Sequence, residues 1–144
     1  MNPITKSILT LIVAVLSVTA INAQTMKAKS TQQKVVFQLS SNDTLVHKSL
    51  VKQLNNLLHA LPDATIEVVA HGPGIELLYK NAPLANNLEK LHAKGIVFLV
   101  CQNTLKEKQV DPTVLVPLCK IIPAGIAHII IRQSEGWSYI KAGF

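Results

Sequence analysis

Aromatic side chains are scarce in this 144-residue chain, at 4% of the residues: three Phe, two Tyr and one Trp. Its lysines are scattered rather than gathered into a stripe. Both facts argue against a nucleic-acid surface, which interleaves stacking aromatics with clustered positive charge. The formal charge of +6 reads instead as solvated helix faces. Cysteine is limited to Cys101 and Cys119. Neither they nor the histidines at 47, 59, 71, 92 and 128 recur at a metal-site spacing, so no metal is expected. Phosphate-loop and dinucleotide fingerprints are missing, as is a Ser nucleophile elbow, and no cofactor is expected. There is no internal repeat, low-complexity tract or domain linker. The main apolar run, ILTLIVAVLSVTA, is thirteen residues long, short of the ~20 needed to span a bilayer.

What that run does fit is a secretory signal. MNPITKS supplies a short basic segment, the run an h-region, and Ala23 a small residue at the cut. No cysteine follows it, which argues against a lipoprotein anchor. The expected organisation is a signal at residues 1–23, a polar lead-in without periodicity at 24–33, and one domain at 34–144. The mature protein is expected to be periplasmic or otherwise exported, with no membrane association after cleavage.

Within the domain, strands and helices alternate. Lys34 to Leu39 (KVVFQL) and Thr65 to Ala70 (TIEVVA) read as strands, and Ile96 to Val100 (IVFLV) as a strand buried on both faces. Cys119 to Ile122 and Trp137 to Ile140 read as two shorter ones. Between the first two, Leu45, Val46, Leu50, Leu54, Leu57, Leu58 and Leu61 recur at helical spacing, and Pro62 ends the helix. A short helix over Ile75 to Tyr79, another from Pro83 to Lys94, one from Gln102 to Val110 and a last from Ala124 to Arg132 complete the set. This alternation implies an α/β fold: a five-stranded, mostly parallel sheet with helices on both faces.

Such sheets bind ligands beyond the carboxyl ends of their strands. Four turns gather there: Ser40-Ser41-Asn42, His71-Gly72-Pro73-Gly74, Cys101-Gln102-Asn103-Thr104 and Pro123-Ala124-Gly125. Cys101 is either a small core hydrophobe or a thiol activated at a strand-to-helix junction, where backbone N–H groups favour the thiolate. His71 is either its proton-accepting partner or a cap on the Gly-Pro-Gly bend. With Asp43 the only acid near that edge, nothing orients His71 as a hydrolase dyad requires. Cys119 falls at the start of its strand. It should lie about 15 Å from Cys101, beyond disulfide reach, as a core filler.

VVFQLSSND, EVVAHGPGIELL, VFLVCQNT and IIPAGIAHIIIRQSEGWSYIKAG, in that order, resemble the DsrE/DsrF-like family, which includes the YchN-like proteins and small sulfur-relay subunits. The resemblance runs from about Lys34 to Gly143. It implies a five-stranded α/β sandwich and homo-oligomers, commonly trimers or hexamers, for which the isoleucine-rich segment Ile126 to Ile131 is a candidate interface. It further implies that Cys101, matching a cysteine that carries persulfide sulfur after a central strand, is the catalytic residue with His71 nearby. Asn42, Gly72, Gly74, Gln102, Asn103 and Thr104 would then line the pocket. The sulfur-relay relatives act in the cytoplasm beside partner subunits, whereas this chain carries an export signal. Two functions stay open: sulfur transfer with a donor or acceptor protein, or a non-catalytic periplasmic binding module for a small anion or partner segment.

Overall fold

Strand alternation sorts the hydrophobic residues into two cores. In β1 (Lys34–Leu39), Val35, Phe37 and Leu39 face one side of the sheet and Val36 the other. The same holds for Ile66, Val68 and Ala70 against Val69 in β2 (Thr65–Ala70), and for Phe98 and Val100 against Leu99 in β3 (Val97–Cys101). With β4 (Lys120–Ile122) and β5 (Ser138–Lys141) these strands form one fully parallel sheet in the order β4-β3-β2-β1-β5. The computed structural model describes residues 32–143. The expected signal at 1–23 and lead-in residues 24–31 lie outside the described residues.

The strand order dictates which helix covers which face. From β1 to β4 the chain steps steadily in one direction, and then returns to place β5 beside β1. With right-handed crossovers, the returning helix must lie on the opposite face from the others. So α1 (Thr44–Ala60), α2 (Ala85–Ala93) and α3 (Gln102–Glu107) pack on the larger core through Leu50, Leu54, Leu88, Leu91 and Leu105. Alone on the other face among the described helices, α4 (Gly125–Ser134) buries Ile129 against Val36, Val69, Leu99 and Trp137. Each such side chain contributes about 1.5–3 kcal/mol when fully buried.

Element ends depart from the sequence reading for local reasons. Asp43 caps α1 by accepting the Leu45 N–H at 2.8 Å. Expected to reach Val110, α3 instead stops at Glu107, because Gln109 takes a left-handed φ of 52° and Pro112 then opens a 3-10 turn. The short helix expected at Ile75 is a longer 3-10 segment, Gly72–Leu78. It passes so close to β1 that a Cβ on Gly74 would lie 2.3 Å from the Leu39 carbonyl oxygen. Gly74 is therefore a packing requirement. β3 runs one residue further than expected, so Cys101 closes the strand instead of lying in the loop beyond it. β4 begins at Lys120 and leaves Cys119 just outside. Among the described residues no helix is long and apolar enough to cross a membrane.

Candidate functional site

Cys101 follows Val97 and Leu99 at the two-residue period of β3, so its side chain points to the α4 face. Two elements meet over it. The main chain turns directly into α3, and the first residue of α4 comes down from the other side. Gly125 donates its backbone N–H to Cys101 Sγ at 3.2 Å. A Cβ at Gly125 would sit 3.3 Å from Cys101 Cβ, 3.3 Å from His71 Cβ and 3.2 Å from Val69 Cγ1. Only glycine lets the helix approach this closely without displacing its neighbours.

Neighbouring polar groups add to the effect of the Gly125 N–H on the sulfur. Burial pushes the thiol pKa up, but the backbone N–H of Gly125, the N–H and hydroxyl of Thr104, and the N–H of Asn103 outweigh it and bring the pKa down. Thr104 is itself buried, and its Oγ1 accepts the Gly72 N–H at 3.0 Å. Thr104 thus ties the turn after β2 to the first turn of α3, directly after Cys101. The site is closed as well as polar: Cys101 is 6% exposed. Cys119 provides the contrast. Half-buried, its thiol donates to the Val116 carbonyl at 3.0 Å, and burial pushes its pKa up. Both cysteines are free thiols.

His71 stands beside Cys101 but engages elsewhere. The Gln38 amide on β1 donates to His71 Nε2 at 2.7 Å, while its Oε1 accepts the Tyr139 hydroxyl from β5. A ring that accepts at Nε2 carries its proton on Nδ1 and is neutral. Burial, which disfavours the imidazolium, holds its pKa below the usual value. β1 and β3 flank β2 on opposite sides, so this bond draws the imidazole away from the sulfur. No hydrogen bond joins His71 to Cys101 among the described residues.

The remaining expected residues separate. Gly72, Asn103 and Thr104 belong to the Cys101 cradle through the bonds above. Asn42 instead reaches Glu76, at 3.3 and 3.4 Å from its two carboxylate oxygens, in a cleft of about 380 Å³ that His47, Tyr79 and Leu84 also line. Glu76 is thus a second acid near this edge, but it serves that cleft. Gln102 lines another cleft, of about 360 Å³, with Lys106 and Ile121. Among the described residues no group of three His, Cys, Asp or Glu could hold a metal ion.

Sequence reasoning missed the polar groups under α4. Glu67, the one acid in TIEVVA, is buried on the α4 face and accepts from His128 Nε2 at 2.6 Å and from Arg132 Nη2 and Nε at 2.7 and 2.9 Å. Arg132 also donates to Glu135 at 2.8 Å and lies 4.7 Å from the Trp137 ring centroid. The pattern was available: a lone acid inside a buried strand, and a His and an Arg four residues apart on a helix. Gln38, the one polar side chain inside β1, is the same kind of signal.

The model of the DsrE/DsrF-like family matches residues 23–142. MTH1491 from Methanobacterium thermoautotrophicum, a protein of unknown function, has a similar structure with 31% identity and a TM-score of 0.74, covering 76% of this chain and 99% of its own. BT1422 from Bacteroides thetaiotaomicron, also of unknown function, shares the fold at 15% identity and a TM-score of 0.65, covering 80% of this chain and 99% of its own. No curated protein matches the chain.

Proposed function

Since the chain belongs to the DsrE/DsrF-like family, a family associated with sulfur relay, we propose that it handles sulfur through a persulfide on Cys101. The observation that carries this reading is the Gly125 N–H on Cys101 Sγ at 3.2 Å, with the neighbouring Asn103 and Thr104 amides and the Thr104 hydroxyl also favouring the thiolate. In the reaction the Cys101 thiolate attacks the outer sulfur of a sulfane donor, R–S–SH. The donor's S–S bond breaks, RS⁻ leaves with the electron pair, and Cys101–S–SH remains. The same N–H groups suit the persulfide anion. His71, held neutral by Gln38, is a nearby polar wall and not the base that receives the thiol proton.

A second reading, a non-catalytic module that binds a small anion or a partner segment, is favoured by one fact: Cys101 is 6% exposed. Sulfur loading therefore requires the turn from Pro123 to Gly125 to yield. The two readings separate on incubation with a sulfane donor followed by intact mass measurement. Transfer gives a gain of one sulfur atom that disappears in Cys101→Ala. An unchanged mass, or a gain that survives in Cys101→Ala, favours the binding module.

The proposal includes setting and assembly. We take residues 1–23 as a secretory signal and the mature domain as exported, there meeting a sulfur donor or acceptor protein. We also take it as a homo-oligomer, a trimer or hexamer, joined through α4. The support is that Ile126, Ile130 and Ile131 are 50%, 60% and 53% exposed on α4, more apolar surface than a solvated helix ordinarily shows.

A further inference from the structure

We propose that Glu67 is a positioning residue for Cys101: through His128 and Arg132 it sets the height and rotation of α4 on the sheet, and so keeps the Gly125 amide on the sulfur. The inference rests on the reading of Cys101 as a stabilised thiolate.

Gly125 begins α4 without help from a capping side chain. Its preceding residue, Ala124, offers no side-chain cap to α4. The buried hydrophobic contact of the helix, Ile129 on Val69, Leu99 and Trp137, fixes its distance from the sheet. Apolar contacts are non-directional and set rotation only loosely. The directional contacts come from Glu67. Both carboxylate oxygens are engaged, one by Arg132 Nη2 at 2.7 Å and the other by Arg132 Nε at 2.9 Å and His128 Nε2 at 2.6 Å. His128 and Arg132 lie one turn apart on one side of α4, so a single acid grips the helix at two heights. A two-point Arg–carboxylate pair also fixes orientation, which a single contact does not.

The lever is short and stiff. At 1.5 Å per residue Gly125 is about 4.5 Å along the axis from His128 and about 10 Å from Arg132. Glu67 lies on the strand that continues through Val69 to His71, and Val69 and His71 both touch the space beside Gly125. Grip and sulfur contact therefore share one helix and one strand. A small rotation of α4 at the grip moves the Gly125 N–H off Cys101.

The test is the pH dependence of iodoacetamide alkylation in the full chain, read separately at Cys101 and Cys119 by peptide mass spectrometry. Cys119 is the internal reference, since its hydrogen bond goes to Val116 and not to α4. Sign makes the experiment decisive. Through space, Glu67→Gln removes a negative charge and leaves Arg132 with Glu135 as its one acidic partner among the described residues, which would favour the thiolate and lower the Cys101 midpoint. Displacement of α4 does the opposite. The expected result is an upward shift of the Cys101 midpoint by roughly one pH unit, about tenfold less thiolate at neutral pH, with the Cys119 midpoint unmoved. A downward shift, no shift, or equal upward shifts at both cysteines overturns the proposal. A wild-type Cys101 midpoint at or above about 8.5 overturns the thiolate reading itself and is seen before any variant is compared. If Glu67→Gln does not fold, Arg132→Lys keeps the charge but loses the two-point grip, and the same upward shift is expected.

Discussion

At the scale of single residues, the account depends on what Cys101 touches. Thr104→Val removes a hydroxyl that favours the Cys101 thiolate and strands the part-buried Gly72 N–H, which now has Thr104 Oγ1 at 3.0 Å. A buried polar group left unpaired costs about 1–3 kcal/mol. Urea denaturation should show that loss, and the Cys101 alkylation midpoint should rise in the same variant. Gly125→Ala puts a methyl 3.2–3.3 Å from Val69, Cys101 and His71; such crowding costs about 1–3 kcal/mol and should slow alkylation of Cys101 at neutral pH. His71 supplies a pH prediction. Its folded pKa lies below 6.5 because burial disfavours the imidazolium. A depressed pKa means that its stabilising contribution is complete above 6.5 and is lost as pH falls from there through the folded value. The urea midpoint should therefore drop as the pH falls below 6.5, and drop less in His71→Gln. Cys101 was legible in the sequence as a candidate because it ends a continuous apolar run. The direction of His71 was not, since one hydrogen bond from Gln38 on a different strand decides it.

At the scale of elements, periodicity located the strands and helices, and chemistry between elements went unread. KVVFQL and TIEVVA run over the residues that their composition indicated, because β-branched runs bounded by polar turns leave little choice. The end of α3 was misplaced because a left-handed residue at Gln109 leaves no mark in hydrophobic spacing. The Glu67 grip was invisible to period counting, which sees one polar residue in a strand as noise. Its energetic role has a direct check. Arg132→Ala leaves the buried Glu67 carboxylate with His128 alone, and breaking a buried pair in this way should cost about 2–4 kcal/mol. Glu67 is also acid-sensitive. Burial pushes its pKa up, but the hydrogen bonds and charges of Arg132 and His128 hold it below 4.5. Its contribution is therefore complete above 4.5 and lost as pH falls through the lower folded value. Arg132→Ala should flatten the acid limb of a stability–pH curve.

At the scale of the whole molecule, one topological fact organises the rest. Among the described helices, the single returning crossover puts α4 by itself on one sheet face, with its first residue on Cys101, its middle on Glu67 and its outer isoleucines in solvent. The parallel architecture and the gathering of turns at one edge could be read from alternation alone, but the strand order that isolates α4 could not. If α4 is the oligomer interface, sedimentation should give a trimer or hexamer for the mature protein. Ile130→Glu should then give a monomer with an intact circular dichroism spectrum; a wild-type monomer would remove that part of the proposal. The groups around Cys101 lower its thiol pKa and so raise its thiolate fraction near neutral pH. Thiolate ultraviolet absorbance in a Cys119→Ser background, titrated against a matched Cys101→Ser control, measures this most directly. The account predicts a Cys101 midpoint clearly below the free-thiol value of about 8.5, and a midpoint at or above that value would contradict it.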